Sequence, residues 1–202
     1  MLKTYTEDMF PAGMEDKQKV HELGLWHKVV SGLVMNKTHM FLQTIYPKES
    51  YGFTRPDFLD ISVGGHVEDN ENERAALLRE AREELGLNDL QQIQFVCVRK
   101  VSCDPSPTYK IREFQYLYKI DVTKTLKDFD LRKTEPEVKS IVAIDRQDLL
   151  RLLTKKISGF WAQEAVFDKK TRQLVTIQDR HITLSDFIPD YLECRLFEQI
   201  LK

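Results

Sequence analysis

The stretch GHVEDNENERAALLREAREELGL, which spans residues 65–87, decides the fold of this chain. Seven of its positions fit one fixed pattern, G-x5-E-x7-R-E-U-x-E-E-x-G-U, in which U is an apolar residue. At an average usage of about 7 % per residue type, seven specified positions would match by chance about once in 10⁸ start points. The pattern therefore carries structural and chemical information. Its seven residues are Gly65, Glu71, Arg79, Glu80, Glu83, Glu84 and Gly86.

Glu80, Glu83 and Glu84 are spaced to lie on one face of a helix, because positions three and four apart are neighbours there. Three carboxylates within one turn repel each other and weaken the helix unless a cation lies among them. Hard oxygen ligands at this density suit Mg²⁺ or Mn²⁺. The spacing therefore predicts a helix that carries a site for a divalent metal ion.

The ends and the packing face of this helix can also be predicted. The helix is expected to begin near Glu71 or Asn72 and to end at Gly86, since glycine readily adopts the left-handed conformation that follows a helix C-terminus. Its apolar residues recur at helical intervals, so one face can pack on a sheet while the glutamates face a cleft. Those apolar residues are Ala76, Leu77, Ala81 and Leu85.

This run resembles the signature of the Nudix hydrolases, enzymes that use metal ions to split diphosphate linkages between a nucleoside diphosphate and a further group. All seven positions match, and the mild departure is Ala81, where a larger apolar residue is usual. The resemblance implies an α/β/α sandwich with a mixed central sheet. It also implies that Mg²⁺ or Mn²⁺ is held by Glu83, Glu84 and the carbonyl of Gly65, because glycine lets the backbone approach a ligand closely.

Two further roles in the motif follow from the resemblance. Glu80 would complete the metal site or take the proton from the attacking water. Arg79 would orient the carboxylates through an ion pair that includes Glu71, a task that suits its planar fork. The alternative for Arg79 and Glu71 is a solvated helix pair, which stabilises a helix by only about 0.2–0.5 kcal/mol.

An acidic residue outside the motif often completes such sites in the family. The candidates are Glu113 in KIREFQYLY and Glu135 and Glu137 in KTEPEVKSI. A plain surface glutamate is an equally good interpretation of each. Glu113 ranks first because of the branch of the family that the flanking segments resemble.

The segments VHELGLWHKVV at residues 20–30 and DISVGGH at residues 60–66 resemble the branch related to isopentenyl-diphosphate isomerase. In the isomerases, histidines join glutamates around a metal ion, and a catalytic glutamate stands at the position of Glu113. The histidines here could bind metal in the same way, and a structural role is the alternative for each. They are His21, His27 and His66.

Gly64 occupies the position at which the isomerases carry a cysteine that exchanges a proton with carbon. Glycine has no side chain for acid–base chemistry. The isomerases also have a degraded motif, whereas this chain keeps every glutamate. Both departures favour hydrolysis over isomerisation.

The rest of the chain predicts alternating strands and helices, which is typical of an α/β fold. Predicted strands cover residues 26–35, 39–45, 58–63, 93–101, 109–120 and 138–144, and a predicted helix covers 149–153. The strand at 58–63 is expected to lead through a glycine turn into the motif helix. A hairpin over 160–182 and an amphipathic helix over 184–201 form an accessory segment. We expect residues 1–155 to form the hydrolase domain, with residues 156–202 packed on it.

The composition excludes several classes of protein. The chain of 202 residues has a formal net charge of -2, which argues against binding of nucleic acid polymers. Its three cysteines lack C-x-x-C spacing, so neither a disulfide framework nor a structural zinc site is expected. The sequence has no leader pattern and no run of about eighteen apolar residues, so we expect a cytoplasmic protein that does not span a membrane.

These observations together predict a Mg²⁺-dependent hydrolase that attacks a small diphosphate compound with metal-activated water. The substrate stays open among nucleoside diphosphates, sugar nucleotides, isoprenoid diphosphates and thiamine diphosphate, since a fold does not determine its ligand. The alternatives are an isomerase-like enzyme and a non-catalytic sensor that binds a nucleotide sugar. The accessory hairpin and the terminal helix make a homodimer the expected assembly.

Overall fold

A computed structural model describes residues 1–46, 57–88, 90, 92–132, 134 and 136–201 of the chain. Within those ranges, ten strands form one mixed sheet and five helices lie beside it. The strands are β1 (Leu2–Tyr5), β2 (Pro11–Glu15), β3 (Trp26–Met35), β4 (His39–Ile45), β5 (Val63–His66), β6 (Gln92–Ser106), β7 (Tyr109–Asp121), β8 (Val138–Asp145), β9 (Phe160–Phe167) and β10 (Leu174–Ile182). The helices are α1 (Lys17–Leu23), α2 (Glu73–Leu85), α3 (Arg146–Leu153), α4 (Pro189–Glu193) and α5 (Leu196–Leu201). The predicted α/β class is confirmed.

The sheet is organised around β3, the strand that positions the candidate site. It pairs in parallel with β7, where His27 lies opposite Glu113. It also pairs antiparallel with β5, where Val30 lies opposite Gly65. From β4 the sheet continues through β8 and β9 to β10 at one edge, while β1 and β2 extend it in the other direction. Residues that are far apart in the sequence therefore meet along β3.

Two hydrophobic cores lie on opposite faces of the sheet, because successive side chains of a strand point to opposite sides. Val34 of β3 packs in the same core as Leu77 of α2. The preceding residue, Leu33, packs in the other core with Leu149 of α3 and with residues of α5. All four of these side chains are fully buried. The sheet thus lies between two helical layers, as the sequence predicts.

The N-terminal residues form structure that the sequence did not predict. β1 pairs with β2, and it joins the sheet where Thr4 and Tyr5 lie opposite His27 and Trp26 of β3. α1 follows β2 and ends at Gly24 in the left-handed conformation. These elements are short, and the contacts that stabilise them come from remote parts of the chain, so local patterning does not reveal them.

The predicted glycine turn before the motif helix is wrong. β5 runs through both glycines as far as His66, and Gly64 and Gly65 are extended residues that lie opposite residues 30–31 of β3. The predicted strand over 58–63 is reduced to isolated bridges ahead of β5. Glycine at these positions therefore serves a purpose other than turning the chain.

The accessory hairpin forms as predicted, but the terminal helix does not. β9 pairs with both β10 and β8, so the hairpin extends the main sheet. The expected helix over 184–201 is divided into a 3₁₀ turn at Leu184–Asp186, α4 and α5. Pro189 begins α4 because proline fits the first turn of a helix but not its interior, and Arg195 is left-handed between α4 and α5. The division of the chain at residue 155 stays a prediction.

Two further features concern the described ranges as a whole. No helix within them has the length and apolar character needed to cross a membrane. Cys97, Cys103 and Cys194 all lie in these ranges and are free thiols. The absence of disulfides in the described structure agrees with the cysteine spacing.

A buried carboxylate, Glu164 of β9, ties the hairpin to the sheet. It accepts hydrogen bonds from Ser140 of β8 at 2.6 Å and from Gln178 and Arg180 of β10 at 2.9 and 3.0 Å. Burial by itself raises the pKa of Glu164, but these donors outweigh it and lower the pKa below its ordinary value. The ionised carboxylate therefore stabilises the fold above the pKa of the unfolded chain, which is about 4.3.

We expect Glu164→Gln to reduce the free energy of unfolding at pH 7 by about 1.5–3 kcal/mol, the range for hydrogen bonds to charged groups. The deficit should shrink as the pH falls through the lowered pKa of Glu164, because the wild type then loses the same ionised group. Urea unfolding of both proteins at pH 7 and below about pH 4 measures this difference. The exposed Glu22→Gln is the control, and a deficit that is equal at both pH values would contradict the explanation.

Candidate active site

α2 presents the glutamates of the motif because its ends and one of its faces are fixed. The side chain of Asn72 caps the first turn by accepting a hydrogen bond from the backbone N–H of Ala75 at 2.9 Å. Gly86 follows the last turn with a φ of 65°, and a Cβ there would lie 2.6 Å from the carbonyl oxygen of Asp130. The apolar face is buried at Ala76, Leu77, Ala81 and Leu85. The predicted ends and packing face of the helix are confirmed.

Arg79 gathers the carboxylates of the motif around one guanidinium group. Its Nη2 and Nε donate to Glu71 at 2.7 and 3.2 Å. Its Nη1 donates to Glu80 at 2.8 Å and to Glu83 at 2.9 Å. Nη2 also donates to the carbonyl oxygen of His66 at 2.9 Å. One side chain thus connects α2, the loop before it and the end of β5.

Glu84 is the most buried carboxylate of the motif, with 6 % of its surface exposed. Its Oε2 accepts hydrogen bonds from the backbone N–H of Gly64 at 3.0 Å and from Nε2 of Gln43 at 3.4 Å. Burial, followed by the neighbouring charge of Glu80, raises the pKa of Glu84 well above its ordinary value. Burial also raises the pKa of Glu80 to about 7, although Arg79 opposes that shift. Adjacent buried carboxylates are costly without a compensating cation.

The purpose of Gly65 is to make room for Glu80. A Cβ at residue 65 would lie 1.9 Å from Oε1 of Glu80 and 2.0 Å from its Cδ. Because glycine has no side chain, the carboxylate of Glu80 can lie directly against β5. The backbone of the strand and the carboxylates of α2 therefore share a small volume.

Glu84 lines a cleft of about 970 Å³, a size typical of sites for small molecules. Glu113 and Glu137, two of the acidic candidates from the sequence, line this cleft together with Glu84. The third candidate, Glu135, lies outside the described residues. The tip of the β6–β7 hairpin forms one wall, and the C-terminal segment forms another at Ile188, Pro189, Asp190, Tyr191 and Glu193.

The C-terminal wall is fixed to the rest of the cleft by polar contacts. Tyr191 donates a hydrogen bond from its hydroxyl group to Asp60 at 2.5 Å. Asp190 forms an ion pair with Arg99 of β6, and Arg99 donates to Gln115 of β7 at 3.0 Å. Substitutions in this wall are therefore expected to change the shape of the cleft.

Three histidines form a cluster beside the carboxylates. One ring nitrogen from each of His21, His27 and His66 lies within 4.8 Å of the other two. The register of the sheet explains part of the arrangement, because His66 of β5 lies opposite Val29 of β3, two residues from His27, and His27 lies opposite Glu113 of β7. α1 supplies His21 from outside the sheet.

Backbone carbonyl groups fix the tautomers of two of these histidines. Nδ1 of His21 donates to the carbonyl oxygen of Lys110 at 3.1 Å, and Nδ1 of His27 donates to that of Leu25 at 2.9 Å. A carbonyl oxygen only accepts, so the proton resides on Nδ1 and Nε2 keeps its lone pair. Burial lowers the pKa of both rings, which favours the neutral form that binds metals.

The Nε2 atoms of the cluster have few partners in the described part of the protein. That of His27 is buried and has no hydrogen-bond partner among the described residues, and it lies 3.8 Å from Oε1 of Glu113. That of His21 lies 3.0 Å from Nε2 of His66. Histidine metal ligands typically have one ring nitrogen held by a carbonyl group, as Nδ1 of His21 and of His27 is here.

Several residues of the cleft were not predicted as site residues. Gln43, Asp60 and Tyr191 come from β4, the segment before β5 and α4, and they meet only in the folded chain. Tyr109, at the start of β7, stacks on the ring of His21 with centroids 4.3 Å apart. Of these residues, Gln43 could have been noticed in the sequence, because it is a polar residue within the apolar run MFLQTI.

Comparison with known proteins agrees with the fold. The model of the NUDIX domain matches residues 25–161, more than half of the chain. The match and the site together define the class, an enzyme that hydrolyses diphosphate linkages. The chain belongs to the NUDIX domain family and is a Nudix hydrolase. Enzymes of this family generally use divalent metal ions.

Two similar proteins illustrate the range of the relationship. An uncharacterized Nudix hydrolase of Clostridium acetobutylicum is 25 % identical over 193 residues, which cover 93 % of this chain and 89 % of the relative. The crystal structure of DR0079 from Deinococcus radiodurans has a TM-score of 0.53 at 21 % identity, and the match covers 76 % of this chain and 88 % of that one. The second comparison supports the fold alone.

Proposed function

We propose that this Nudix hydrolase depends on Mg²⁺ or Mn²⁺ and cleaves a diphosphate linkage in a small nucleoside-diphosphate or related compound. The single observation that carries the proposal is the pair of carboxylates, half-buried Glu80 and buried Glu84, packed against the glycine strand. Burial, with the neighbouring carboxylates as a smaller cause, raises the pKa of both groups, so their ionised forms are unfavourable unless a cation compensates for them. A divalent cation with oxygen ligands matches that donor set.

Glu83, Glu84 and the carbonyl of Gly65 would hold the ion, and Glu80 would either complete the metal site or take the proton from the attacking water. When bound, such an ion activates water and neutralises the charge of phosphoryl oxygens. The water oxygen would bond to phosphorus as the bond to the departing phosphate oxygen breaks, which leaves two phosphorylated fragments. Arg79 keeps the carboxylates in place through its hydrogen bonds.

The proton from the attacking water needs an acceptor near the carboxylates. Glu80 is one choice, because its carboxylate lies against β5 at the centre of the motif. Glu113 is the other, since it lines the same cleft and lies beside the histidine cluster. Comparing Glu80→Gln with Glu113→Gln distinguishes them, because loss of the proton acceptor lowers kcat and removes one limb of its pH profile.

The test of the proposed function is release of phosphate and nucleotide from a panel of nucleoside diphosphates, sugar nucleotides, isoprenoid diphosphates and thiamine diphosphate. We expect turnover of at least one compound with Mg²⁺, none with EDTA, and none by Glu83→Gln. Tight binding of a sugar nucleotide without turnover would favour the sensor instead. Interconversion of the C5 isoprenoid diphosphates without phosphate release would favour the isomerase, against the glycine at residue 64.

We also propose that the three histidines and Glu113 form a second metal site next to the carboxylates. The three close ring nitrogens support it, as does Nε2 of His27, which has no hydrogen-bond partner among the described residues. Imidazole ligands suit first-row transition metals better than Mg²⁺. A second ion there would lie beside the cleft that receives the diphosphate compound.

We expect the protein to bind Co²⁺ with visible absorption bands typical of nitrogen ligation, and His27→Asn to lose them. His181→Asn, which changes a histidine outside the cluster, should keep the bands of the wild type. Equal spectra for His27→Asn and the wild type would rule out this site. The result does not depend on hydrolysis, because the absorption reports the bound metal directly.

The homodimer expected from the sequence stays a prediction. The outer hairpin exposes apolar side chains, with Trp161 70 % and Val175 64 % exposed. Burial of such surface would favour association. Light scattering over a range of protein concentrations would show a mass of two chains if the proposal is right, and of one chain if it is wrong.

A further inference from the structure

Gln43 is a buried polar residue in an otherwise apolar strand. Only 3 % of its surface is exposed, and its neighbours in β4, Phe41 and Leu42, are fully buried side chains. Both polar groups of its backbone bond to the backbone of Asp60. The N–H of Gln43 donates to the carbonyl oxygen of Asp60 at 3.2 Å, and the carbonyl oxygen of Gln43 accepts from the N–H of Asp60 at 2.8 Å. The strand therefore holds the Gln43 side chain in one place at the floor of the cleft.

The amide of Gln43 acts on Glu84 together with the backbone of β5. Its Nε2 lies 3.4 Å from Oε2 of Glu84, and the N–H of Gly64 lies 3.0 Å from the same oxygen. Two donors on one oxygen restrict rotation of the carboxylate. The other oxygen, Oε1, is engaged by neither of these donors and remains for a ligand.

The second polar atom of the amide has no partner among the residues that the structure describes. Oε1 of Gln43 is buried and accepts no hydrogen bond in the described structure. Buried polar atoms in folded proteins nearly always have a partner, so an unpaired acceptor in a cleft indicates that the ligand brings a donor. Mg²⁺ retains several of its waters when it binds protein carboxylates, and those waters are hydrogen-bond donors.

We propose that Gln43 is a positioning residue for the metal site, although it lies 22 residues before the motif begins. It orients Glu84 through Nε2 and offers Oε1 to a water of the hydrated ion. The inference rests on the proposed function, because it assumes that Glu84 binds a divalent cation. The motif at residues 65–87 does not include Gln43 and so does not assign it this role.

The test is Mn²⁺ affinity, measured from the electron paramagnetic resonance signal of the free ion. Gln43→Met keeps the size of the side chain but loses both polar atoms, and it should weaken Mn²⁺ binding by about 10–100-fold, the effect of removing a partner of a metal ligand. Gln43→Asn withdraws the amide by one methylene group and should weaken binding in the same direction. Thr44→Val is the matched control, because Thr44 contacts Ser140 at 2.7 Å and does not line the cleft.

Either Gln43→Met or Gln43→Asn decides the proposal, provided that the variant is folded with a melting temperature near that of the wild type. Mn²⁺ affinity within two-fold of the wild type would overturn it. Glu84→Gln, measured in parallel, separates this failure from failure of the proposed function. If Glu84→Gln weakens Mn²⁺ binding while the Gln43 variants do not, the metal site stands and the role of Gln43 is wrong. If Glu84→Gln binds Mn²⁺ as the wild type does, both are wrong.

Discussion

Replacing Glu84 by glutamine is expected to lower kcat for diphosphate hydrolysis by about 10³-fold, which corresponds to about 4 kcal/mol of lost transition-state stabilisation. Glutamine has nearly the same shape and can still accept the hydrogen bond from Gly64. It lacks the charge that the proposed divalent cation requires. The loss should therefore come from metal binding and not from rearrangement of the cleft.

The stability of Glu84→Gln should move in the opposite direction to its activity. Glu84 is buried, and burial of an ionised carboxylate without a cation is unfavourable. In EDTA, the melting temperature of the variant should equal or exceed that of the wild type, a trade between stability and activity that is common at functional sites. The measurements are kcat with Mg²⁺ and thermal unfolding with EDTA. A variant that keeps more than about a tenth of the activity would contradict the role of Glu84 as a metal ligand.

Replacing Arg79 by alanine is expected to harm both activity and stability. Its guanidinium bonds three carboxylates and the carbonyl oxygen of His66, so its loss leaves Glu71, Glu80 and Glu83 to repel each other. We expect the free energy of unfolding to fall by about 1.5–3 kcal/mol and kcat to fall by about 10²-fold, the effect of misplacing groups around a reacting centre.

Two further variants separate charge from geometry at residue 79. Arg79→Lys keeps the charge but cannot form the planar set of hydrogen bonds, so it should recover less than half of the lost stability. Arg82→Ala removes an exposed arginine from the same helix and should leave kcat and stability unchanged. Urea unfolding and steady-state kinetics measure both effects. Recovery of full activity by Arg79→Lys would contradict the proposed positioning role.

The motif helix was predictable because its information is local. Asn72 and Gly86 mark its ends, and the spacing of its glutamates and apolar residues separates the face toward the cleft from the face toward the core. The same locality misled the prediction at Gly64 and Gly65, which resemble a turn but lie in a strand. Glycine is needed at residue 65 of β5 because the carboxylate of Glu80, in α2, occupies the space that a Cβ would fill.

The parts of the site that could not be predicted depend on remote contacts. Gln43 meets Glu84, and Tyr191 meets Asp60, only after the sheet and the C-terminal segment have assembled. The histidine cluster was suggested by resemblance to the isomerases, but the approach of His27 to His66 depends on the antiparallel register that places His66 opposite Val29 of β3. Pairing register is a property of the folded sheet, and one sequence contains little information about it.

The most direct test of the metal-dependent mechanism is the Mg²⁺ dependence of hydrolysis, measured on the best substrate of the panel for the wild type and for a Glu83→Gln, Glu84→Gln double variant. We expect saturable activation of the wild type by Mg²⁺, complete inhibition by EDTA, and no activation of the double variant at any Mg²⁺ concentration. Wild-type turnover that persists in EDTA, or Mg²⁺ activation of the double variant equal to that of the wild type, would contradict the account.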